Sequence, residues 1–201
     1  KFVSDKVEAN IESKVNYHLS RDQRLSHLVP RSDLESAIEA QIGDSKKHIT
    51  IQEKIKDASI RPTLAYWLKA LAHTHVYGTE VMDKLRDFQA ARSMTQDLND
   101  QKVYAGSLKV DKSLRKDLID SGVGSGTEFI HQDFRSANRV GHYAVDWGHA
   151  GRGDPYLDLS RLLLDAEIQS ERPFTDDNYK QCLSFYLTEK NKALRVEAPT
   201  R

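Results

Sequence analysis

The chain has 201 residues, long enough to bury a hydrophobic core as one domain or as two small lobes. Its 30 lysine and arginine residues balance 30 aspartate and glutamate residues, so the formal net charge is zero. This balance argues against a nucleic-acid-binding protein and against attraction to an anionic membrane surface. A single cysteine, Cys182, excludes an internal disulfide framework and is typical of a reducing compartment.

No apolar run is long enough to span a bilayer, and the first residues do not form a signal peptide. We therefore expect a cytoplasmic protein without a nucleic-acid or membrane partner, as a monomer or a homodimer. The chain begins at Lys1 without an initiator methionine, so a fragment of a longer protein is also considered.

The first 60 residues combine short strand patterns with one clear helix pattern. Residues 1–3 predict the end of a strand, and Val7–Leu19 predicts a helix because its apolar residues recur at helical spacing. Asp33 is placed to cap a second helix, which would run to Ile42 and end at Gly43. The alternating β-branched residues of His48–Gln52 predict a strand.

Helical patterns dominate from Pro62 onward. Pro62 at a first helical position opens a helix whose apolar stripe reaches His75, which we predict to be a buried packing residue. Gly78 is expected to interrupt this helix before a second helix over Thr79–Ser93. A further, charged helix is predicted over Leu108–Ile119.

Three glycines follow, at Gly122, Gly124 and Gly126, and their composition resembles a phosphate-binding loop. They come after a predicted helix and before a predicted strand, whereas a dinucleotide-binding loop follows a strand and opens a helix. Glycines placed after a helix usually end it and form a turn. We therefore interpret the run as a helix stop.

Polar residues of a distinctive spacing come next. His131, Asp133 and Asn138 form the pattern H-x-D-x-x-x-x-N within HQDFRSAN, directly after a short buried strand over residues 128–131. A tight turn and a second short strand then lead to Asp146, within VDW. In kinases, this pattern places an aspartate near the acceptor hydroxyl and an asparagine on a metal ion, and a later aspartate binds the metal at the nucleotide phosphates.

The segment GDPYLDLS predicts the start of a helix. Asp154 is a suitable N-cap and Pro155 a suitable first helical residue, with the helix continuing to about Ile168. Asp158, one turn inside, is predicted to brace the preceding polar loop. A last helix opens at Asp176 or the next residue. Its predicted apolar face comprises Tyr179, Cys182, Leu183, Phe185, Tyr186 and Leu187.

Together these motifs resemble the aminoglycoside phosphotransferase and choline kinase group, small-molecule kinases with a protein-kinase-like fold. The pattern of the group is H-G-D-x-x-x-x-N, I-D-W and G-D-P-x-x-D-L-A, and here Gln132 replaces the usual glycine. The resemblance covers residues 64–164 well and the N-terminal part loosely. It implies an α+β fold with a partial nucleotide-binding β lobe and hinge (1–57) and a mostly helical catalytic lobe (58–201). Two strands and the loop that roof the nucleotide would be missing.

The resemblance also implies roles for individual residues. Asp133 would act as the base or orient the acceptor hydroxyl, and His131 would brace the loop of the catalytic residues. For Arg135 the charge of the residue alone gives two interpretations: it would neutralise phosphate charge, or it would only solvate the loop. Asn138 and Asp146 would bind Mg²⁺ because they offer hard oxygen ligands.

Three further residues would contact the nucleotide in the resembling group. Lys1 would pair with Glu12, or alternatively with Glu8, and the segment that starts at Gln52 would meet the adenine through backbone groups. Each also has an ordinary interpretation, as a terminal lysine, a solvated glutamate and part of an edge strand.

The implied function is transfer of the terminal phosphoryl group of Mg-ATP, or of GTP, to a hydroxyl of an aminoglycoside, choline or sugar-like acceptor. The sequence selects neither the acceptor nor the nucleotide. A different hypothesis is a metal-dependent hydrolase. It would use His131, Asp133, His142, Asp146 and His149. A third hypothesis is a catalytically inactive kinase-like scaffold or fragment, which the missing nucleotide roof supports.

Overall fold

A computed structural model describes residues 2–3, 6–42, 44–55, 59–85 and 126–196. Within these ranges the chain is an α+β structure with four α-helices and three small antiparallel sheets. The helices are α1 (Lys6–Leu19), α2 (Leu64–Asp83), α3 (Pro155–Ser170) and α4 (Asp176–Val196). The strands are β1 (Phe2–Val3), β2 (Ile38–Ile42), β3 (Ser45–Ile49), β4 (Glu128–Ile130), β5 (Arg139–Val140), β6 (Tyr143–Ala144) and β7 (Gly151–Gly153).

The predictions made for residues 86–125 lie outside the described residues. They are the end of the helix over Thr79–Ser93, the helix over Leu108–Ile119 and the glycines Gly122 and Gly124.

The first sheet joins three strands in the order β1, β3, β2, and both of its pairs are antiparallel. The helix α1 connects β1 to β2 along the chain and packs against a short 3₁₀ turn, Trp147–His149. Its buried residues include Val15 and Leu19, as the helical stripe predicts, and also the polar Glu12 and Asn16. The N-terminal sheet is thereby tied to the second half of the chain.

The helix predicted over Asp33–Ile42 is wrong, because its last five residues form β2. Ile38 of β2 pairs with Ile49 of β3, and the two strands form a hairpin. The strand predicted over His48–Gln52 is shifted toward the N-terminus and begins at Ser45. Pairing with a neighbouring strand outweighs a helix cap here, since a cap contributes only about 1 kcal/mol.

The start of α2 is set by Thr63 rather than by Pro62. Thr63 is the N-cap, and its Oγ1 accepts a hydrogen bond from the backbone N–H of Tyr66 at 3.2 Å. The predicted interruption at Gly78 is wrong, because α2 continues through this residue. A Cβ atom added to Gly78 would lie only 2.6 Å from the ring of Phe129. The glycine therefore permits close packing of α2 on β4 and does not end the helix.

The hydrophobic core forms mainly where α2 packs against α4 and β4. The prediction that His75 is buried is confirmed, with no exposed side-chain surface. The apolar face predicted for α4 is only partly covered: Tyr186 is fully buried, Cys182 and Leu187 are partly buried, and the other three residues are exposed. Among the described residues, no helix combines the length and the apolarity that a membrane crossing requires.

Two smaller sheets position the polar segment. β4 pairs with β7, and β5 pairs with β6 across the predicted turn at Gly141–His142. The start of α3 is confirmed: Asp154 is the N-cap, its Oδ1 accepts from the backbone N–H of Tyr156 at 2.9 Å, and Pro155 is the first helical residue. The segment between β4 and α3 is therefore anchored at both ends.

Candidate functional site

His131 opens the loop over residues 131–138, here called the H-D-N loop, and is fully buried. Its Nε2 lies 2.9 Å from the carbonyl oxygen of Val145, and its Nδ1 lies 3.3 Å from the backbone nitrogen of Asp133. Burial lowers the pKa of His131, which favours the neutral imidazole. In the tautomer that fits both contacts, Nε2–H donates to Val145 and Nδ1 accepts from Asp133. These contacts brace the loop, in line with the role expected for His131.

A buried carboxylate holds the same loop from α3. Asp158 is fully buried and accepts hydrogen bonds from the backbone N–H groups of His131 at 2.6 Å and Gln132 at 2.9 Å. Its Oδ2 also lies 3.3 Å from Nε2 of His75, whose Nδ1 lies 2.7 Å from the hydroxyl of Tyr186. Burial raises the pKa of Tyr186, so its hydroxyl keeps its proton and is placed to donate to His75. A chain of buried hydrogen bonds thus links α4 to the H-D-N loop.

The backbone of Gln132 adopts the left-handed conformation, with φ at 66°. Glycine adopts this conformation without steric cost, whereas other residues lose roughly 1–2 kcal/mol. The turn therefore favours glycine at position 132 over a residue that carries a Cβ atom.

The strain at Gln132 can be measured with two matched variants. We expect Gln132→Gly to have a free energy of unfolding about 1 kcal/mol higher than Gln132→Ala. Both variants lose the polar side chain, and only alanine keeps the Cβ atom that is crowded at positive φ. Urea denaturation of both proteins would measure the difference. Equal stabilities would mean that the turn relaxes to another conformation at no cost.

The carboxylate of Asp133 is held by three side chains. Its Oδ1 lies 2.6 Å from Nη1 of Arg161, and its Oδ2 lies 3.0 Å from Nε of Arg135 and 2.9 Å from Nδ2 of Asn138. A carboxylate has about four lone-pair positions, so the described residues leave about one for a further donor. The side chain is 17% exposed, which allows a small molecule to reach it.

Arg161 is a site residue that the sequence patterns did not reveal. It lies on α3, 28 positions after Asp133, outside the motif. The spacing along α3 is the signal that could have revealed it. Arg161 follows Asp158 by three positions, so both side chains lie on neighbouring parts of the α3 surface. Arg135, expected to neutralise phosphate charge, pairs with Asp133 in the structure.

The β5–β6 hairpin brings Asn138 and Asp146 close together. Asn138 is only 5% exposed, and its backbone oxygen accepts from the N–H of Val145, the neighbour of Asp146, at 2.9 Å. Its Nδ2 donates at 2.9 Å to both the backbone oxygen and Oδ2 of Asp133. Asp146 has the left-handed conformation, with φ at 64° and ψ at 57°. Strained backbone of this kind persists where the surrounding structure fixes it, often at functional sites.

The N-terminal candidates lie on or near α1. Lys1 is outside the described residues. Glu12 is buried, with 1% of its surface exposed, on the helix that packs against Trp147–His149. The alternative residue, Glu8, contacts that turn, with Oε1 3.9 Å from Nε2 of His149. The helix α1 therefore brings Glu8 next to the segment that follows Asp146 and buries Glu12 one helical turn further along.

Gln52, the candidate for the adenine site, lies beyond the end of β3. Its Oε1 accepts a hydrogen bond from Nδ2 of Asn16 on α1 at 3.3 Å. This hydrogen bond places the Gln52 side chain beside α1.

The oxygen donors present suit Mg²⁺ better than a softer metal ion. Asn138 and Asp146 offer amide and carboxylate oxygens, and Mg²⁺ usually binds one or two protein carboxylates and completes its shell with water and substrate phosphates. Across the described ranges, no group of three or more His, Cys, Asp or Glu residues is arranged to hold a metal ion. The five residues of the hydrolase hypothesis therefore do not form such a cluster, and His131 already uses both ring nitrogens.

No known protein family, curated protein or solved structure gave a significant match to this chain. A functional proposal for this chain therefore rests on its motifs and on the contacts that join Asp133 to Asn138 and Asn138 to Val145, the neighbour of Asp146.

Proposed function

We propose that this protein is a small-molecule kinase that transfers the terminal phosphoryl group of Mg-ATP, or of GTP, to a hydroxyl group. One observation carries the proposal: hydrogen bonds join Asp133 to Asn138, and Asn138 to Val145, so that Asp146, the next residue, follows directly after this bonded unit. Phosphoryl transfer needs a residue that orients the attacking hydroxyl and oxygen ligands for the metal that accompanies the nucleotide. Aminoglycosides, choline and related amino-alcohols and sugars are the acceptor classes that the motif resemblance implies.

In this proposal the open lone-pair position of Asp133 receives the acceptor hydroxyl. The ion pairs with Arg135 and Arg161 fix the carboxylate, so its main contribution is to orient the hydroxyl. It accepts the proton as negative charge moves from the attacking oxygen to the transferred phosphoryl group. Positioning and charge stabilisation provide most of the rate enhancement, because phosphoryl transfer requires little covalent chemistry from the protein.

Asn138 and Asp146 would hold the Mg²⁺ that enters with the nucleotide. The ion, when bound, neutralises phosphate charge. The hydrogen bond between Asn138 and Val145 fixes the two ligand residues at neighbouring positions before any substrate binds. Such preorganisation avoids rearrangement during the reaction.

The N-terminal elements support a nucleotide-facing role for α1. The glutamates of α1, the helix that follows β1, fit the glutamate of the lysine–glutamate pair in the resembling group. Glu12 is the buried candidate, and Glu8 approaches the turn after Asp146. Both glutamates therefore remain part of the proposal.

The proposal is tested by melting the protein with ATP or GTP, each with and without Mg²⁺. A ligand at about a hundred times its dissociation constant stabilises the native state by about 2.7 kcal/mol, which raises the melting temperature measurably. We expect a Mg²⁺-dependent increase for the wild type. We expect Asp146→Asn to lose that Mg²⁺-dependent part, since the substitution removes an anionic metal ligand.

Asp177→Asn is the matched control, because it removes a carboxylate that is 84% exposed on α4. The control should respond to Mg-nucleotide as the wild type does. If Asp146→Asn also responds like the wild type, Asp146 is not a metal ligand. If no protein responds to either nucleotide, the kinase proposal fails for this chain.

The contacts of Asp133 favour a second candidate, a catalytically inactive kinase-like scaffold. Arg161 and Arg135 already occupy both oxygens of this carboxylate, so an acceptor has to fit beside them. Turnover separates the two candidates. A kinase consumes ATP only when a suitable hydroxyl compound is present, whereas a scaffold shows no acceptor-dependent turnover across aminoglycosides, amino-alcohols and sugars.

A further inference from the structure

A cavity of about 340 Å³ lies beside the H-D-N loop, between the start of α2, strand β5 and the last turns of α3. We call it the Arg139 cavity. Its walls include Arg61, Trp67, Ser136, Arg139 and Gln169. None of Asp133, Asn138 and Asp146 lines it, so it is separate from the proposed phosphoryl-transfer site.

Arg139 is the unusual residue of this cavity. Its side chain is only 8% exposed, and its guanidinium carbon lies 5.6 Å from the ring centre of Trp67 and 5.9 Å from that of Phe134. Its Nη2 pairs with Oδ2 of Asp165 at 3.0 Å. Its Nε–H is buried and has no hydrogen-bond acceptor among the described residues. A guanidinium carries five N–H donors, and among the described residues Asp165 is the only acceptor that Arg139 reaches, which indicates that this guanidinium has capacity for another partner.

The charge around the cavity is positive. Arg61 and Arg139 are two cationic lining residues, and Asp165 is the acid that contacts Arg139. Asp165 also accepts a hydrogen bond from the backbone N–H of Ser136, so its charge is shared between two donors. The cavity therefore has more positive charge than its neighbouring carboxylate neutralises.

The start of α2 adds to this positive field. The helix has 20 residues and no acidic residue in its first turn. Its first residue, Leu64, and Pro62, which precedes the N-cap Thr63, line the cavity. The N-terminal end of a helix carries partial positive charge and unpaired N–H groups, both of which favour anions. Arg139 and the α2 N-terminus thus indicate the same ligand chemistry independently.

We propose that the Arg139 cavity binds a small organic anion, whose carboxylate or phosphate group meets the arginines and whose compact body lies on Leu64, Trp67 and Val140. The cavity volume lies within the range of small-molecule sites, and mixed apolar and polar walls are typical of such sites. Ala137 and Arg139 flank Asn138 in the chain and both line the cavity, so the ligand would sit next to the H-D-N loop. The proposal does not depend on the kinase function.

Isothermal titration of the whole chain without nucleotide or metal tests the proposal. The probes are phenyl phosphate and benzoate, with benzyl alcohol as the neutral probe of similar size, all at one fixed ionic strength. We expect the two anions to bind at least about tenfold more tightly than benzyl alcohol, because charge-assisted hydrogen bonds to arginine are stronger than hydrogen bonds between neutral groups. Equal affinities for the anions and the alcohol, or no binding, would overturn the proposal.

Variants then locate the bound anion. Arg139→Gln should abolish detectable binding, and Arg61→Gln should weaken it by about threefold or more, as expected for an exposed charge. Ala166→Phe keeps every charge and should block the cavity sterically, since Ala166 lines it. If Arg139→Gln does not fold, the other two variants still decide the outcome. Anion binding that survives both of them would overturn the proposal.

Two control variants separate this site from others. Arg31→Gln removes an exposed charge that pairs with Asp33 away from the cavity, and it should leave anion affinity unchanged. Asp146→Asn should also retain anion binding. The substitution removes a negative charge from the proposed phosphoryl-transfer site, so tighter anion binding in Asp146→Asn would place the anion there and would contradict the inference.

Discussion

Replacement of Asp133 by asparagine is expected to lower turnover with a hydroxyl acceptor by about 10²–10⁴-fold, the usual contribution of a positioned acid–base group. The amide cannot take the hydroxyl proton, and its NH₂ group would face donors where Oδ2 now accepts from Arg135 and Asn138. Nucleotide affinity should change little, because the proposed metal ligands are Asn138 and Asp146. Steady-state kinetics with the acceptor found by screening, together with nucleotide titration, would measure both effects.

The same kinetic measurements on the control Asp177→Asn should give wild-type turnover. Thermal melts of both variants would verify that they are folded. Turnover within a few fold of the wild type in Asp133→Asn would remove Asp133 from the mechanism, whatever its position in the loop.

Replacement of Asp158 by asparagine is expected to lower the free energy of unfolding by about 3 kcal/mol or more. Both carboxylate oxygens of Asp158 accept from backbone N–H groups, those of His131 and Gln132. An amide of the same shape retains one acceptor and turns a donor toward the other N–H group. Because the site is fully buried, water cannot replace the lost bond. Urea denaturation followed by circular dichroism would measure the change.

Tyr186→Phe gives a graded comparison for the same network. It removes the hydroxyl next to Nδ1 of His75 and should lower the free energy of unfolding by about 1 kcal/mol, the usual net value of one hydrogen bond. Asp177→Asn at the surface should change it by less than about 0.5 kcal/mol. Wild-type stability in Asp158→Asn would show that the H-D-N loop is held by other contacts.

These two substitutions distinguish a residue that takes part in the proposed reaction from a residue that stabilises the fold. Asp133 is partly exposed and bonded to side chains, so its replacement should affect turnover more than stability. Asp158 is fully buried and bonded to the backbone of the H-D-N loop. Its replacement should lower stability directly, and it should lower turnover only because the loop is no longer held in place.

Local signals in the sequence predicted the elements that depend on few neighbouring residues. The start of α3 was predicted from Asp154 and Pro155, and both occupy the expected cap positions because a cap involves only the next two or three residues. The H-D-N loop is a similar case, since Asp133 and Asn138 are joined by hydrogen bonds over five positions. Short spacing of this kind can be read along the chain.

Predictions failed where a distant partner overrides local preference. The segment that a helix cap at Asp33 assigned to a helix forms β2, because β3 offers a complete antiparallel partner. Gly78 was expected to end a helix, and it instead makes room for the ring of Phe129, 51 positions away. In both cases the deciding contact comes from another element of the fold.

The sequence alone determined the residue types and the spacing of the proposed site, including Asp133, Asn138 and Asp146. Only the tertiary structure decided what surrounds them. Arg161 reaches Asp133 across 28 positions, and Tyr186 reaches His75 across 111. The physical reason is that these contacts depend on how α2, α3 and α4 pack together, and helix packing is set by side chains from the whole core rather than by any single segment.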